Sequence, residues 1–263
     1  MWLSFIALTT IFPALVQAFR GTASRDGVFW GALSLAIAGP VAWVSVHYVP
    51  HWQTGLSGTL WVTIAASMVL YAIVAVAFGQ AWRLTPLVAG YMMLLGLAAI
   101  VLHDAEGVSL QAGPDDRAWV NVHIATAIAT YGLVTLAAVA AFAAFLQERA
   151  LKRKRPTALT RHLPSIADCE TLELTLLRYG ETVLAIGLVT GMALQYRESG
   201  YFLPINHKTV LTLASFIVIG ALLIAQRWLG VRGRRAARIA LLGYLLLTLG
   251  YPGVKFVTEV LIS

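Results

Sequence analysis

The stretch 119–146, WVNVHIATAIATYGLVTLAAVAAFAAFL, carries no acidic or basic side chain except His123. As a helix it would be about 42 Å long at 1.5 Å per residue, more than the roughly 30 Å of a bilayer's hydrocarbon core. Trp119 and His123 mark one end. The other end runs straight into QERALKRKRP at 147–156, a dense positive run. An apolar body with an aromatic end and a basic end is the pattern of a membrane crossing whose basic end stays in the cytoplasm.

The rest of the chain fits that beginning. Of its 263 residues 59% are hydrophobic and 12% charged, against about 25% charged in a soluble domain, and the mean hydropathy is +0.78. Such a chain cannot present a mainly polar surface to water. Its net charge of +7 does not point to nucleic acid, because the positive residues sit in short connections between apolar stretches, where membrane topology puts them.

Eight candidate spans follow at 2–19, 29–48, 56–78, 86–102, 119–146, 174–196, 207–228 and 236–262, each near the ~20 apolar residues a helical crossing needs. None shows the period-two alternation of barrel strands. The expected fold is an all-α polytopic transmembrane bundle, with an N-terminal four-helix segment at 1–118 and a C-terminal segment at 119–263. Connections at 20–28, 79–85, 147–173 and 227–235 hold nearly all the loop Lys and Arg. The opposite connections at 49–55, 103–118 and 197–206 hold only Arg117 and Arg197. Both termini are therefore expected to face outward. The first apolar run has no basic residue before it and Arg20 and Arg25 after it, which predicts a retained helix rather than a cleaved leader.

Between the fifth and sixth spans, the less apolar 147–173 reads as a cytoplasmic elbow. Pro156 and Pro164 break it, and Ser165 is placed to cap a short helix leading into the sixth span. Cys169, the single cysteine, reads as an ordinary unpaired thiol. In the sixth span Glu181 is three residues from Arg178, so an ion pair on one helix face is expected, with a proton path or internal cavity as the other reading. Glycines inside the spans, among them Gly180, Gly187 and Gly191, predict close helix approach or a kink, and Pro252 predicts a weakened last helix.

Five of the six histidines fall at one level, the outer face: His47, His51, His103, His123 and His207; only His162 lies inside. His123 and His207 each lie within about a turn of the outer end of a span, on a helix rather than a loop. Two facing imidazoles can supply both axial ligands of a haem iron. Zinc fits less well, since it takes three or four ligands and no thiolate lies on this side. For His47, His51 and His103 an interfacial polar side chain is the favoured reading.

Several stretches resemble the cytochrome c assembly family of haem-handling membrane proteins, and within it the YpjD branch. They are VNVHIATAIATYG around His123, FLQERALKRK at 145–154, LPSIADCETLE at 163–173, GLVTG at 187–191, FLPINHKTVLTLASF at 202–216, QRWLGVRGRRAAR at 226–238 and GYPGVKFVTEVL at 250–261. They cover about 150 residues in the family's order, almost all in the second half. The loop between the two histidines, QYRESGYFLPIN, lacks the tryptophan-rich motif of the haem-delivery members.

The resemblance implies a multi-pass protein of the bacterial inner membrane that binds b-type haem through His123 and His207 and works with cytochrome assembly proteins. Arg197 and Lys208 are the cations near enough in sequence to pair with haem propionates. The basic connections suit anionic lipids. Two rival readings remain: a haem-free scaffold or regulator that docks partners through its basic cytoplasmic loops, and a proton-coupled carrier motivated by Glu181. No phosphate-binding loop or catalytic triad appears, and no enzymatic activity is expected.

Overall fold

The computed structural model describes residues 2–17, 24–48, 55–102, 117–200 and 206–257, and among these every regular element is a helix. In chain order these are α1 (Trp2–Thr9), α2 (Phe12–Gln17), α3 (Gly27–Tyr48), α4 (Leu56–Ala77), α5 (Thr85–Val101) behind a 3₁₀ turn at Ala81–Leu84, α6 (Arg117–Lys152), α7 (Ala158–His162), α8 (Ile166–Ser199), α9 (His207–Trp228), α10 (Arg234–Thr248) and α11 (Val254–Phe256).

The long helix α6 is the hub. It packs on α4, α5, α8 and α10. Its buried middle is mostly alanine and threonine, from Thr130 through Ala137 and Ala141 to Ala144. In lipid there is no hydrophobic drive between helices, so small side chains that let backbones approach supply the packing. α8 lies antiparallel to α6 on three glycines: Gly180 opposite Val134, Gly187 opposite Thr126 and Gly191 opposite His123.

Among the described residues five helices are long and apolar enough to cross a membrane: Gly27–His47, Leu56–Ala77, Ala81–Val101, Arg117–Lys152 and His207–Trp228. Apolar side chains such as Ile73, Leu94, Val189, Ile217 and Ile224 are more than half exposed, as a lipid-facing surface requires. The molecule is a multi-pass helical membrane protein.

The other three expected spans take different forms. The stretch 2–19 does not form one helix. Pro13 has no N–H to give the carbonyl of Thr9, so the chain breaks at Thr10–Ile11 into α1 and α2. The sixth span lies inside the 34-residue α8, which carries both acidic and basic residues. In the last, α10 gives way at Leu249–Gly253 to a wider π turn containing Pro252, the expected weakening of that helix.

The elbow expected at 147–173 is built on hydrogen bonds. Thr157 and Thr160 cap each other's backbone at the start of α7. Ser165 accepts from the Asp168 amide at 3.2 Å, so the expected cap exists, but it opens the long α8 itself. Gln147 of α6 reaches into the turn, its Nε2 donating to the carbonyls of Thr160 (2.9 Å), Leu163 (3.2 Å) and Pro164 (2.9 Å). Replacing Gln147 with leucine strands these half-buried acceptors. It is expected to destabilise the elbow by roughly 2 kcal/mol and to speed tryptic cleavage at Arg153–Arg155 in detergent solution, with no change in helix content.

Cys169 is fully buried at the start of α8. Burial, followed by the nearby Asp168, Glu173 and Glu170 carboxylates, pushes its thiol up to about 12. A maleimide is therefore expected to leave Cys169 unmodified at pH 8 in the folded protein and to label it after denaturation in dodecyl sulfate.

The Glu181–Arg178 ion pair does not form. Glu181 instead turns toward α9, with Oε1 over Gly220, and Oε2 is buried without a hydrogen-bond partner. The missing side chain on Gly220 creates that space, which no reading of α8 alone could reveal.

Candidate functional site

His123 stands near the first turns of α6, against the last third of α8. Its Nδ1 lies 3.2 Å from the Gly187 carbonyl and 3.2 Å from Thr190 Oγ1. A carbonyl only accepts, so Nδ1 carries the proton and donates. The Thr190 hydroxyl also donates to the Gly187 carbonyl, at 3.1 Å, and so presents a lone pair to His123. Hydrogen-bonding one ring nitrogen to backbone sets the tautomer of a histidine. Nε2 is thereby left as the nitrogen with an open lone pair.

The ring lies on Gly191. A Cβ at that position would sit 2.9 Å from His123 Cε1 and 3.4 Å from Nδ1, closer than side chains approach, whereas a Cβ on Gly187 would meet Thr126 at an ordinary 3.5 Å. The run GLVTG thus supplies a notch for the imidazole at Gly191, an acceptor at the Gly187 carbonyl and a hydroxyl at Thr190. Sequence reasoning singled out His123 but took the two glycines for packing or a kink. The signal that pointed to them was the four-residue spacing of the glycines, which puts both on one helix face.

His207 is the first residue of α9, exposed, at the end of the bundle where α8 finishes. Asn206 fixes that helix start, its Oδ1 accepting from the Thr209 amide at 2.8 Å and hydroxyl at 2.9 Å. α9 packs on α8, the helix that holds the His123 ring. Arg197 is exposed in the last turn of α8. His123 thus lies near the start of α6, Arg197 at the end of α8, and His207 and Lys208 at the start of α9.

The remaining histidines lie apart from this group or outside the described residues. His47 stacks on Trp43, with centroids 4.2 Å apart, and its Nδ1 donates to the Trp43 carbonyl at 3.0 Å. It belongs to α3, which packs chiefly on α1, α2 and α4. His162 closes α7 at the opposite end. His51 and His103 lie outside the described residues. Among the described residues no three His, Cys, Asp or Glu side chains come together as a metal site, so they build no three-ligand zinc centre.

Fold and site together define a polytopic membrane protein with an imidazole held ready at one end of its bundle. The chain matches the family model described as cytochrome C assembly protein over residues 41–262 and belongs to that family. The match begins within α3, well ahead of the second half of the chain, which holds almost all of the stretches that resemble the family. Among its relatives is an Azospirillum brasilense protein described as an uncharacterized 28.8 kDa protein in the nifR3-like 5' region, 48% identical over 99% of this chain and 97% of that protein. The inner membrane protein YpjD of Escherichia coli K12 is 25% identical over 69% of this chain and 66% of its own length.

Proposed function

We propose that this protein binds haem at the outer face of the bacterial inner membrane and serves cytochrome c biogenesis, with His123 and His207 as the iron's axial ligands. The observation that carries this reading is the fixed His123 ring, its Nδ1–H spent on the Gly187 carbonyl and its Nε2 open. A metal-ligating histidine is oriented by such a bond from its other nitrogen. His207, exposed on a capped helix start, offers the second imidazole. Lys208 and Arg197 bring positive charge for propionates. When bound, haem would supply an iron centre that takes up or gives up one electron. The chain's own part is to orient the imidazoles, neutralise the carboxylates and cover the ring with apolar helix surface. In this reading the chain crosses the membrane eight times with both termini outward, and it makes and breaks no covalent bonds.

The test is an absorption spectrum of detergent-purified protein from cells fed a haem precursor, oxidised and then dithionite-reduced. A bis-histidine spectrum is the expected result. A colourless protein that cannot be reconstituted with haem would sink the reading.

The scaffold reading has one observation of its own. The turn between α9 and α10 is ordered, with Glu170 Oε1 accepting from the Gly233 amide at 3.0 Å and Arg234 lying 5.5 Å from the Phe145 ring centroid. Arg232, Arg234 and Arg235 stand exposed on it, facing anionic lipid headgroups or a partner. Loss of function in a triple Arg→Gln variant that retains haem would favour docking.

A further inference from the structure

A small cavity of about 40 Å³ sits where α2 ends, α3 and α5 begin and α7 closes. A buried water needs about 10–15 Å³ of such space, so there is room for a few waters or one compact ion, and none for a cofactor. The two ionisable side chains in its wall are both basic: Arg83, from the 3₁₀ turn ahead of α5, and His162, the last residue of α7. Among the described residues no carboxylate lines it.

Arg83 is half-buried. Its guanidinium lies 5.8 Å from the Trp82 ring centroid, and among the described residues no carboxylate pairs with it. The hydroxyls of the wall are engaged within the protein. Ser24 donates to Asp26 Oδ2 at 2.9 Å, and Thr85 bonds the Trp82 carbonyl and the Tyr71 hydroxyl. Arg83 thus brings a full charge and a fork of N–H donors to a space that it shares with a second basic side chain. A partly desolvated cation is costly unless an anion pairs with it. The start of α5 supplies Thr85 and Pro86 to the same wall, and the positive end of that helix's dipole adds to the field.

The level of the cavity selects the anion. The spans Gly27–His47 and Ala81–Val101 both begin beside it, so it lies at the depth of lipid headgroups, where phosphate is the abundant anion. Phe29 and Trp82, edge to face at 5.8 Å, form its apolar side. Guanidinium matches phosphate oxygens in a bidentate pair. We propose that this cavity binds one phosphate group, with Arg83 pairing with its oxygens and His162 closing the site. The group comes from an anionic lipid headgroup or from phosphate in solution. The assignment does not depend on haem at the outer histidines.

The full-length protein, delipidated in dodecyl maltoside, would be titrated with phosphatidylglycerol, followed by native mass spectrometry, and with radiolabelled inorganic phosphate, followed by equilibrium dialysis. One saturable equivalent of phosphatidylglycerol or phosphate is expected. Arg83→Gln should weaken it by about tenfold or more, as loss of a charge-assisted hydrogen bond does, and Arg83→Lys should weaken it less. Should Arg83→Gln fail to fold, as judged by its melting curve, Arg83→Lys and His162→Gln decide the matter. A variant with Arg232, Arg234 and Arg235 all changed to Gln should keep the saturable equivalent. Phosphatidylglycerol that inorganic phosphate does not displace supports the site with a lipid as the source. Competition between the two supports it with the phosphate group alone as the determinant. The proposal is overturned if neither probe saturates, if Arg83→Gln binds like the wild type, if the triple variant loses as much as Arg83→Gln, or if succinate displaces the probe as readily as phosphate.

Discussion

His123→Ala is expected to purify folded but without haem, with affinity lower by at least a hundredfold and the reduced spectrum of the wild type gone. The expectation follows from the single open nitrogen. With Nδ1 engaged by the Gly187 carbonyl, Nε2 is the ring's one site for iron, and alanine offers no substitute. His207→Ala should also lose the bis-histidine spectrum but retain some five-coordinate haem, because the ring that α8 holds rigid remains. Thr190→Val gives the graded control. It removes one hydrogen-bond partner of the ring and keeps the carbonyl, so a loss toward the lower end of the 10- to 100-fold typical of such supporting groups is expected. Titration of each variant with haemin, followed by absorbance, measures all three. His123→Gly with added imidazole should regain the spectrum, which a merely misfolded variant would not. Equal haem retention in His123→Ala and wild type would remove this residue from the site.

Gly191→Ala is expected to do nearly as much damage as removing the histidine, although Gly191 offers no ligand. The new Cβ would lie 2.9 Å from His123 Cε1, so either the ring tilts off its bond to Gly187 or α8 backs away from α6. Overpacking of this kind costs on the order of 1–3 kcal/mol, and the tilt should cut haem affinity by about tenfold or more. Gly187→Ala is the matched comparison. Its Cβ would meet Thr126 at 3.5 Å, ordinary van der Waals contact, so it should melt and bind haem much like the wild type. Haemin titration and thermal melts of the two variants side by side give the answer. The idea fails if Gly191→Ala binds normally, or if Gly187→Ala is the one that suffers.

Much of this architecture was readable one helix at a time. The 119–146 stretch announces a crossing through local composition alone, and the structure extends it at both ends into the 36-residue α6 without changing its identity. Ser165 and Pro252 act where their chemistry puts them, since a cap or a missing N–H is a property of a few neighbouring residues. The first candidate span is broken into two helices for an equally local reason: Pro13 sits in the middle of an apolar run, and hydropathy is blind to a lost backbone donor. The Glu181–Arg178 pair was misread for a non-local one. Its spacing on α8 is right, but the carboxyl goes to the space over Gly220, a residue on α9.

The sequence by itself determined that this chain is helical, that it belongs in a membrane, and that His123 and His207 lie near the starts of two of its helices, because apolar run length, charge and helix ends are written in consecutive residues. Only the tertiary structure decided which nitrogen of His123 is open, since the groups that choose it, Gly187 and Thr190, are 64 and 67 residues away on another helix. The cavity beside Arg83 is likewise beyond local reading. It exists only where α2, α3, α5 and α7 meet, and a cavity is a property of the space between helices rather than of any one of them.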